Sequence, residues 1–343
     1  MPVQTPSAEG VLTIRAHHWS HVRAPGVSYA GDVILVAIPA AALAVVSLAA
    51  FGGRWVWWLD VLANFRAQYL AALTVLGLAL MMSKWKRVGV AALAAASVNL
   101  VVVAPLFLGS PGEAGPEAPS MRVMSFNLLS TNESYAEVVG YIKAVDPDLV
   151  LLHEASRPWE AAVESLGAGY EVIRPRSDDL IFGTLVLVRG AETDEVSHGF
   201  AEKEPRAVEI SFRPEGWPVR VRVLSTHPLA PTGGARARLR DEQLDFAAEW
   251  AARQGDGPFA VVGDFNATPW SWPFRKMTSQ ARLRNSQIGF GLQPSYASTS
   301  SPLFRVPIDH LLHSDALVVA ERRLGPAMGS DHFPLIVDLH LTQ

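Results

Sequence analysis

The sequence predicts an α+β domain of two packed β-sheets flanked by helices, preceded by three membrane-spanning helices. Three observations carry that expectation. Long uncharged apolar runs are confined to the first third of the 343 residues. After Ser120, many short strand-like runs alternate with few helical ones, which favours packed sheets over a doubly wound parallel sheet. Finally, carboxylate, amide or imidazole residues stand where those strands end. Apolar residues make up 49% and charged residues only 18% of the chain, and the apolar excess lies in the first third, so the chain divides before it can be read.

The membrane part comes first. Val33–Phe51 (VILVAIPAAALAVVSLAAF) is uncharged and long enough to cross a hydrocarbon core of roughly 30 Å as a helix. Val88–Leu108 is a second such run, in which Asn99 and Pro105 require neighbouring helices to satisfy them. Between them Ala67–Met82 is apolar but short, and reaches span length by extending toward Leu62 with Arg66 snorkelling to the interface. A cleavable signal peptide is excluded by the polar tail of about thirty residues before the first run and by repetition of the signal. Lys84, Lys86 and Arg87 form a tight basic loop, which the positive-inside rule assigns to the cytoplasm together with the N-terminal tail bearing Arg15 and Arg23. Three spans from an inside start put everything after Leu108 outside. Trp55, Trp57 and Trp58 suit an interfacial belt. His17, His18 and His21 read as part of the tail rather than as a metal site. The expected divisions are a tail (1–30), a three-helix membrane region (31–108), a Gly/Pro/Glu spacer (109–120) and a catalytic domain (121–343).

Charge and cysteine content exclude some classes. Residues up to Ser120 carry 7 Lys+Arg and 5 Asp+Glu, whereas the remainder carries 22 and 28. An acidic catalytic domain lacks the basic field of a nucleic-acid binder, and acidic clusters are what a divalent-metal site needs. With no Cys, neither a disulfide framework, a thiolate metal site nor a Cys nucleophile is available.

In the catalytic part, strands are expected over Arg122–Phe126, Leu149–Leu152, Thr184–Val188, Ala207–Phe212, Val219–Ser225, Phe259–Val262 and Leu335–Leu339, and helices over Tyr135–Val145 and Ala235–Gln254. Asn127 ends the first strand and Glu154 follows the second. His227 follows VLST, and Asp264 and Asn266 follow FAVVG. Asp309 and His310 follow FRVPI, while Asp331 and His332 precede FPLIV. Singly these are turn residues or helix-dipole partners. Together they suggest a hard-metal site at one rim of a β-sandwich.

SFNLL, LLHEAS, STHPLAP, GDFNATPWS, IDHLL and SDHFP occur in the order found in the endonuclease/exonuclease/phosphatase (DNase I-like) superfamily, which the chain resembles from Met121 to about Leu341. GDFN followed by IDH and SDH, with TH upstream, is the specific part of that match. The segment after GDFN and the three-span anchor are also similar to bacterial membrane-bound members, including those linked to teicoplanin-type resistance. The resemblance implies a four-layer α/β/β/α sandwich and hydrolysis by in-line attack of water without a covalent intermediate. Mg²⁺ or Mn²⁺ would neutralise the phosphoryl oxygens and steady the leaving oxygen. Glu154 is the main metal ligand on this reading, with Asn127 beside it and Asp331 completing the shell. By the same resemblance Asp264 orients or deprotonates the water, and Asn266 hydrogen-bonds a phosphoryl oxygen. His332 contacts the phosphate or acts as general base or acid, its imidazole held by Asp309, and His227 works on the leaving-group side. His310 and His313 read as structural, and Asp178 and Asp179 as a solvated loop.

Two departures bear on the implied activity. Leu129 stands where many members carry a second acidic residue, which argues against a second metal there. The basic loops of the nucleases are also absent, although Arg206, Arg236, Arg238 and Arg240 are either phosphate contacts or solvated charges. Trp270, Trp272 and Phe274 are either core or a lip that touches lipid or stacks a base. A tethered domain meets lipid phosphates at high local concentration, and an acidic one gains little from counterion release on nucleic acid. The expectation is therefore a membrane-anchored phosphoesterase acting on a lipid-linked phosphate or pyrophosphate outside the cell membrane. An extracytoplasmic nuclease is the alternative, and a non-catalytic envelope protein the second, disfavoured because every motif residue is present. Oligomeric state is not readable.

Overall fold

The structure, a computed structural model, describes residues 29–109, 112, 118–174, 183–200 and 207–342. The tail histidines 17, 18 and 21, Arg15, Arg23, Asp178, Asp179, Arg206 and most of the 109–120 spacer lie outside the described residues.

Four helices come first: α1 (Tyr29–Ala49), α2 (Trp57–Ala63), α3 (Arg66–Met81) and α4 (Lys86–Val103). Among the described residues, two stretches are long and apolar enough to cross a membrane, Leu35–Arg54 of 20 residues and Lys86–Phe107 of 22. At 1.5 Å per residue each covers about 30 Å. The expected straight extension of the third run is corrected. Helix α3 does not continue toward Leu62 but breaks at Asn64–Phe65, and α2 leaves it at 64°, so the pair makes a span only if the bend is counted within it. Arg66 does not snorkel either. It is buried, donates from Nη1 to the carbonyl of Ser47 (2.7 Å) and to Asn99 Oδ1 (3.1 Å), and its guanidinium lies 3.8 Å from the centre of the Phe51 ring. The physical reason is that a carbonyl near the end of α1 and the side-chain amide of Asn99 within α4 are satisfied more cheaply by a guanidinium than left bare in an apolar bundle. Asn99 also gives its amide to Ala95, 2.8 Å away. Below this point the bundle closes on small residues. Ala37, Ala40, Ala44, Ala92, Ala95 and Ala96 are buried. A Cβ on Gly89 would come 3.0 Å from the carbonyl of Gly77, so these two glycines let α3 and α4 approach closely.

The remainder forms two six-stranded sheets. In chain order the strands are β1 (Ser120–Asn127), β2 (Leu149–His153), β3 (Glu171–Ile173), β4 (Thr184–Val188), β5 (Ala191–His198), β6 (Ala207–Arg213), β7 (Val221–Ser225), β8 (Phe259–Asp264), β9 (Arg284–Asn285), β10 (Asp309–His313), β11 (Leu317–Leu324) and β12 (Leu335–Leu341). The helices are α5 (Tyr135–Val145), α6 (Arg157–Glu164), α7 (Gly234–Ala252) and α8 (Trp272–Ala281). One sheet runs β11-β12-β1-β2-β4-β3 and the other β5-β6-β7-β8-β10-β9. Inward-facing Val, Leu and Ile of both sheets make the central core, including Val123, Leu151, Val186, Ile210, Val223, Val262, Leu311 and Val337. The outer face of the first sheet packs on α5 and α6 through Val138, Ile142, Trp159 and Val163. The outer face of the second packs on α7 and α8 through Leu244, Ala248, Phe274 and Met277. This is the four-layer α/β/β/α sandwich that the family resemblance implies.

The topology fixes the rim. Each sheet has one parallel pair at its centre, β1 with β2 and β7 with β8. Both pairs end at the same edge of the sandwich. Their antiparallel neighbours β12 and β10 begin there, with Asp309 opposite Asp264 and Leu335 opposite Ser125. Residues far apart in sequence therefore converge on that edge.

Candidate functional site

Asn127, Glu154, His227, Asp264, Asn266, Asp331 and His332 line one cavity of about 210 Å³ at this rim. Asp309 lies one layer behind it. The main chain is bent to deliver several of them. Glu154 and Asn266 hold φ of 55° and 49°, and Leu129 holds 62°, a conformation that costs a non-glycine residue energy and persists where the surroundings impose it. Gly263 has φ 146°, and a Cβ there would collide with the carbonyl of Thr226. Only glycine lets β8 run that close to the turn bearing His227.

Two carboxylates meet at the cavity floor. Asn127 Nδ2 donates to Glu154 Oε1 at 3.1 Å and to Asp264 Oδ2 at 3.2 Å. His227 Nε2 lies 3.8 Å from the same Glu154 oxygen and 3.5 Å from the same Asp264 oxygen. The outer oxygen of Glu154 is held by the N–H of Ser130 (3.2 Å), and the other oxygen of Asp264 by the N–H of Asn266 (2.9 Å). Asn266 gives its amide to the carbonyl of Pro228 at 3.0 Å. Ser330 ties the end of β1 to the turn bearing His332 below the cavity. Its hydroxyl donates to the carbonyl of Asn127 at 2.7 Å and accepts the N–H of His332 at 3.0 Å.

Asp309 and His332 form a dyad. Nδ1 of His332 donates to Asp309 Oδ2 at 2.8 Å, and Nε2 points into the cavity 3.6 Å from Asp264 Oδ2. Burial alone would lower the imidazole, but the carboxylates of Asp309 and Asp264 outweigh it and raise the His332 pKa to about 10. Burial likewise opposes ionisation of Asp309, yet the charge and hydrogen bond of His332 keep it below the ordinary carboxylate range. Asp264 moves the other way. Burial is the main cause of its raised pKa, helped by Asp309 and opposed by His332 and His227. The result is a charged dyad beside a carboxylate with an enhanced hold on a proton, the division of labour that acid–base chemistry uses.

The donor set suits a hard divalent cation. Ligand atoms of Asp264, Asp309 and His332 all lie within 4.8 Å of one another, but Asp309 and Nδ1 of His332 are engaged with each other. The carboxylates that line the cavity are Glu154, Asp264 and Asp331, with the amide of Asn127 between the first two. Few carboxylates, an amide and room for water suit a hard divalent cation, and no thiolate is available.

The sequence reading missed some of the site. Tyr296 lines the cavity with its ring centre 5.0 Å from that of His332. No motif flagged it, since it sits on an isolated bridge rather than a strand. Arg322 is buried behind the dyad, giving Nη2 to the carbonyl of Asp309 at 3.1 Å and Nη1 to Gln293. His153 pairs with Ser225 at 2.9 Å beneath the cavity. His310 and His313 are structural as expected, bonded to the carbonyls of Ala267 and Ser314. Arg236 is exposed and lines the cavity, but Arg240 is neither solvated nor a phosphate contact, because it is buried against Asp60. Of the two readings open for Trp270, Trp272 and Phe274, core and lip, the core reading holds for Trp270 and Phe274. Trp270 is buried against Val103 and Leu106 at the end of the N-terminal helices, and Phe274 belongs to the core beneath α8. Their apolar area is spent on packing.

The sequence matches the model of the Endonuclease/Exonuclease/phosphatase family over residues 124–332, more than half of the chain. No curated protein matches it by sequence. Among solved structures, the endonuclease/exonuclease/phosphatase from Bacteroides vulgatus is similar, with a TM-score of 0.55 at 16% identity, covering 65% of this chain and 100% of that one. TDP2 of D. rerio complexed with a single-strand DNA product gives 0.54 at 13% identity, covering 64% and 99%. The human Nocturnin catalytic domain with a bound sulfate anion gives 0.50 at 20%, covering 69% and 99%. These likenesses are of fold.

Proposed function

We propose, from the premise that this chain belongs to the endonuclease/exonuclease/phosphatase family of hydrolases, that it is a membrane-anchored phosphoesterase. On this reading it uses Mg²⁺ or Mn²⁺ to cleave a lipid-linked phosphoester or pyrophosphate on the outer side of the cell membrane. The observation that carries the membrane part is the seating of the sandwich. Its site-bearing edge packs on the apolar helices through Trp270, Val103 and Leu106. Leu303 and Phe304, 71% and 63% exposed, stand on the same edge, and Leu303 flanks a cleft of about 180 Å³ with Ala67 and Ala71 of α3. Two bare apolar side chains beside a membrane helix suit the interfacial zone, as do exposed Trp55 and Trp58.

The residues divide the work. Asp264, buried and with a raised pKa, suits the task of taking the proton of the attacking water. Asn266 offers an amide donor to a phosphoryl oxygen. His332, kept protonated by Asp309, presents Nε2–H to the same oxygens, a fixed positive group where negative charge grows. His227 faces the cavity from the opposite sheet edge and serves the leaving oxygen. A metal held by Glu154, Asn127 and Asp331 would supply charge neutralisation at the phosphoryl group.

A nuclease is the second reading, favoured by the fold neighbour solved with a single-strand DNA product and opposed by the excess of acidic residues beyond Ser120. The test uses the full chain in lipid nanodiscs with Mn²⁺, offered a lipid pyrophosphate, a phospholipid and plasmid DNA in parallel. Release from lipid at a rate well above DNA cleavage is expected. DNA cleavage with lipid untouched would replace the first reading by the second.

A further inference from the structure

The membrane region reaches directly into the segment that carries Asp264 and Asn266. Asp60 lies on α2, in a stretch otherwise apolar, yet it is 1% exposed. Its Oδ2 accepts from Arg240 Nη2 at 2.9 Å, with both side chains 2% exposed. Its Oδ1 accepts from the main-chain N–H of Trp272 at 2.7 Å. Trp272 is the first residue of α8, and Ser271 before it makes no side-chain cap, so the anchor caps this helix from outside. Arg240 carries the link onward, donating from Nη1 to the carbonyl of Asn266 at 3.3 Å. One helical turn after Asp60, Asn64 Oδ1 accepts from Thr268 Oγ1 (3.1 Å) and Ser271 Oγ (3.2 Å). The stretch from Asn266 to Trp272 is thus held at both ends and in the middle by groups of the anchor or by groups the anchor fixes.

A merely adhesive interface would not be built this way. Desolvating a carboxylate and a guanidinium costs about as much as their attraction returns, whereas apolar residues of similar volume would hold the surfaces together at least as well. What a buried pair with a capping bond and a carbonyl contact adds is a fixed position for one loop. That loop needs fixing, since Asn266 sits at φ 49° and its N–H orients Asp264.

We propose that α2 is a positioning element of the hydrolytic site: Asp60 acting through Arg240, and Asn64 acting through Thr268 and Ser271, hold the Asn266 main chain in its working position, so that hydrolysis depends on the domain being seated on its membrane helices. This rests on the reading of the rim as the hydrolytic site.

The test uses the full chain in nanodiscs with Asp60→Asn, Asp60→Glu and Arg240→Lys. Two readouts are taken, amide hydrogen exchange and hydrolysis of bis(p-nitrophenyl) phosphate with Mn²⁺. Asp60→Asn is expected to speed exchange across residues 266–272 at least tenfold while β1 and β2 keep wild-type protection. It should also lower kcat at least tenfold, with KM within twofold. Asp60→Glu should recover part of both losses. Arg240→Lys keeps the charge pair but lacks the second donor for Asn266, and should speed exchange and lower kcat in the same direction as Asp60→Asn but by less. Wild-type exchange and kcat in Asp60→Asn and Arg240→Lys would overturn the proposal. So would faster exchange spread evenly over both sheets, which marks loss of stability. If the wild type hydrolyses nothing, the functional reading fails, and exchange at 266–272 alone decides whether α2 fixes the loop.

Discussion

The rim and the anchor junction each contain a buried ion pair on either side of the 264–272 segment, and the two pairs do different things. Asp309 on β10 and His332 just before β12 join the two sheets of one domain at 2.8 Å, with a nitrogen of the imidazole still facing the cavity. Asp60 and Arg240 join residues of two different regions at 2.9 Å, and the guanidinium spends its remaining donors on Asp241 and the carbonyl of Asn266. The first pair sets the charge of a group that meets substrate. The second sets only where a neighbouring loop stands. Changes in the first should therefore move chemistry and its pH dependence, while changes at the junction should lower kcat through the order of residues 266–272 and leave the pH profile in place.

The largest expected effect sharpens the chemical side. Asp264→Asn in the full chain should lower kcat by about 10²–10⁴-fold, the usual range for a lost general base, without loss of thermal stability, because the replaced carboxylate is one that burial disfavours. Trp270→Ala probes the other side. It empties a ring site packed on Val103 and Leu106 and should cost about 3 kcal/mol, read as a lower unfolding temperature in detergent or nanodiscs.

Asp309→Asn should lower kcat by about 10²-fold and change the pH profile. In the wild type the acid limb reflects Asp264, which must be ionised and whose pKa is raised, so activity falls at a higher pH than an exposed aspartate would give. The alkaline limb reflects loss of the His332 proton near pH 10 and should shift down in the variant. Stability follows the same group. The folded pKa of His332 lies above its ordinary 6.5, so the dyad's contribution is fully present below pH 6.5 and is lost as pH rises through about 10. Denaturant titrations across that window should show the decline in wild type and not in Asp309→Asn. The smallest effect is a control. The Arg122–Asp338 pair, 37% and 15% exposed, touches neither region, and Asp338→Asn should cost under about 1 kcal/mol with kcat unchanged.

The two regions also differ in how well the sequence announces them. The rim was legible because topology puts its residues at strand ends, where a short motif carries a strand and its terminal polar residue together. GDFN contains β8's last residue, the glycine that lets it approach the Thr226 turn and the Asn that follows. The central strands and α5 were legible from apolar runs and helical spacing. Strand β5 (AETDEVSH) was not, being a solvated edge with no apolar period, and β9 has only two residues. The junction was illegible for a different reason. Its partners are 180 residues apart, and the apolar run through Leu62 gave no sign of the 64° bend at Asn64. One signal was present: Asp60 is a lone carboxylate in WVWWLDVLANF, and an ionisable residue in such a segment implies a buried partner. The aromatics after GDFN left core and lip both open, since a large aromatic serves equally at a lip and in a packed seam.

The most direct test of the central claim, a metal-dependent hydrolytic site at this rim, is phosphoester cleavage by the full chain in nanodiscs. Bis(p-nitrophenyl) phosphate would be followed before EDTA, after EDTA, and after Mn²⁺ is restored, with Asp264→Asn alongside. The account predicts cleavage that stops on chelation, returns with Mn²⁺ and is absent from the variant. Cleavage that survives EDTA, or that Asp264→Asn retains at the wild-type rate, would contradict it.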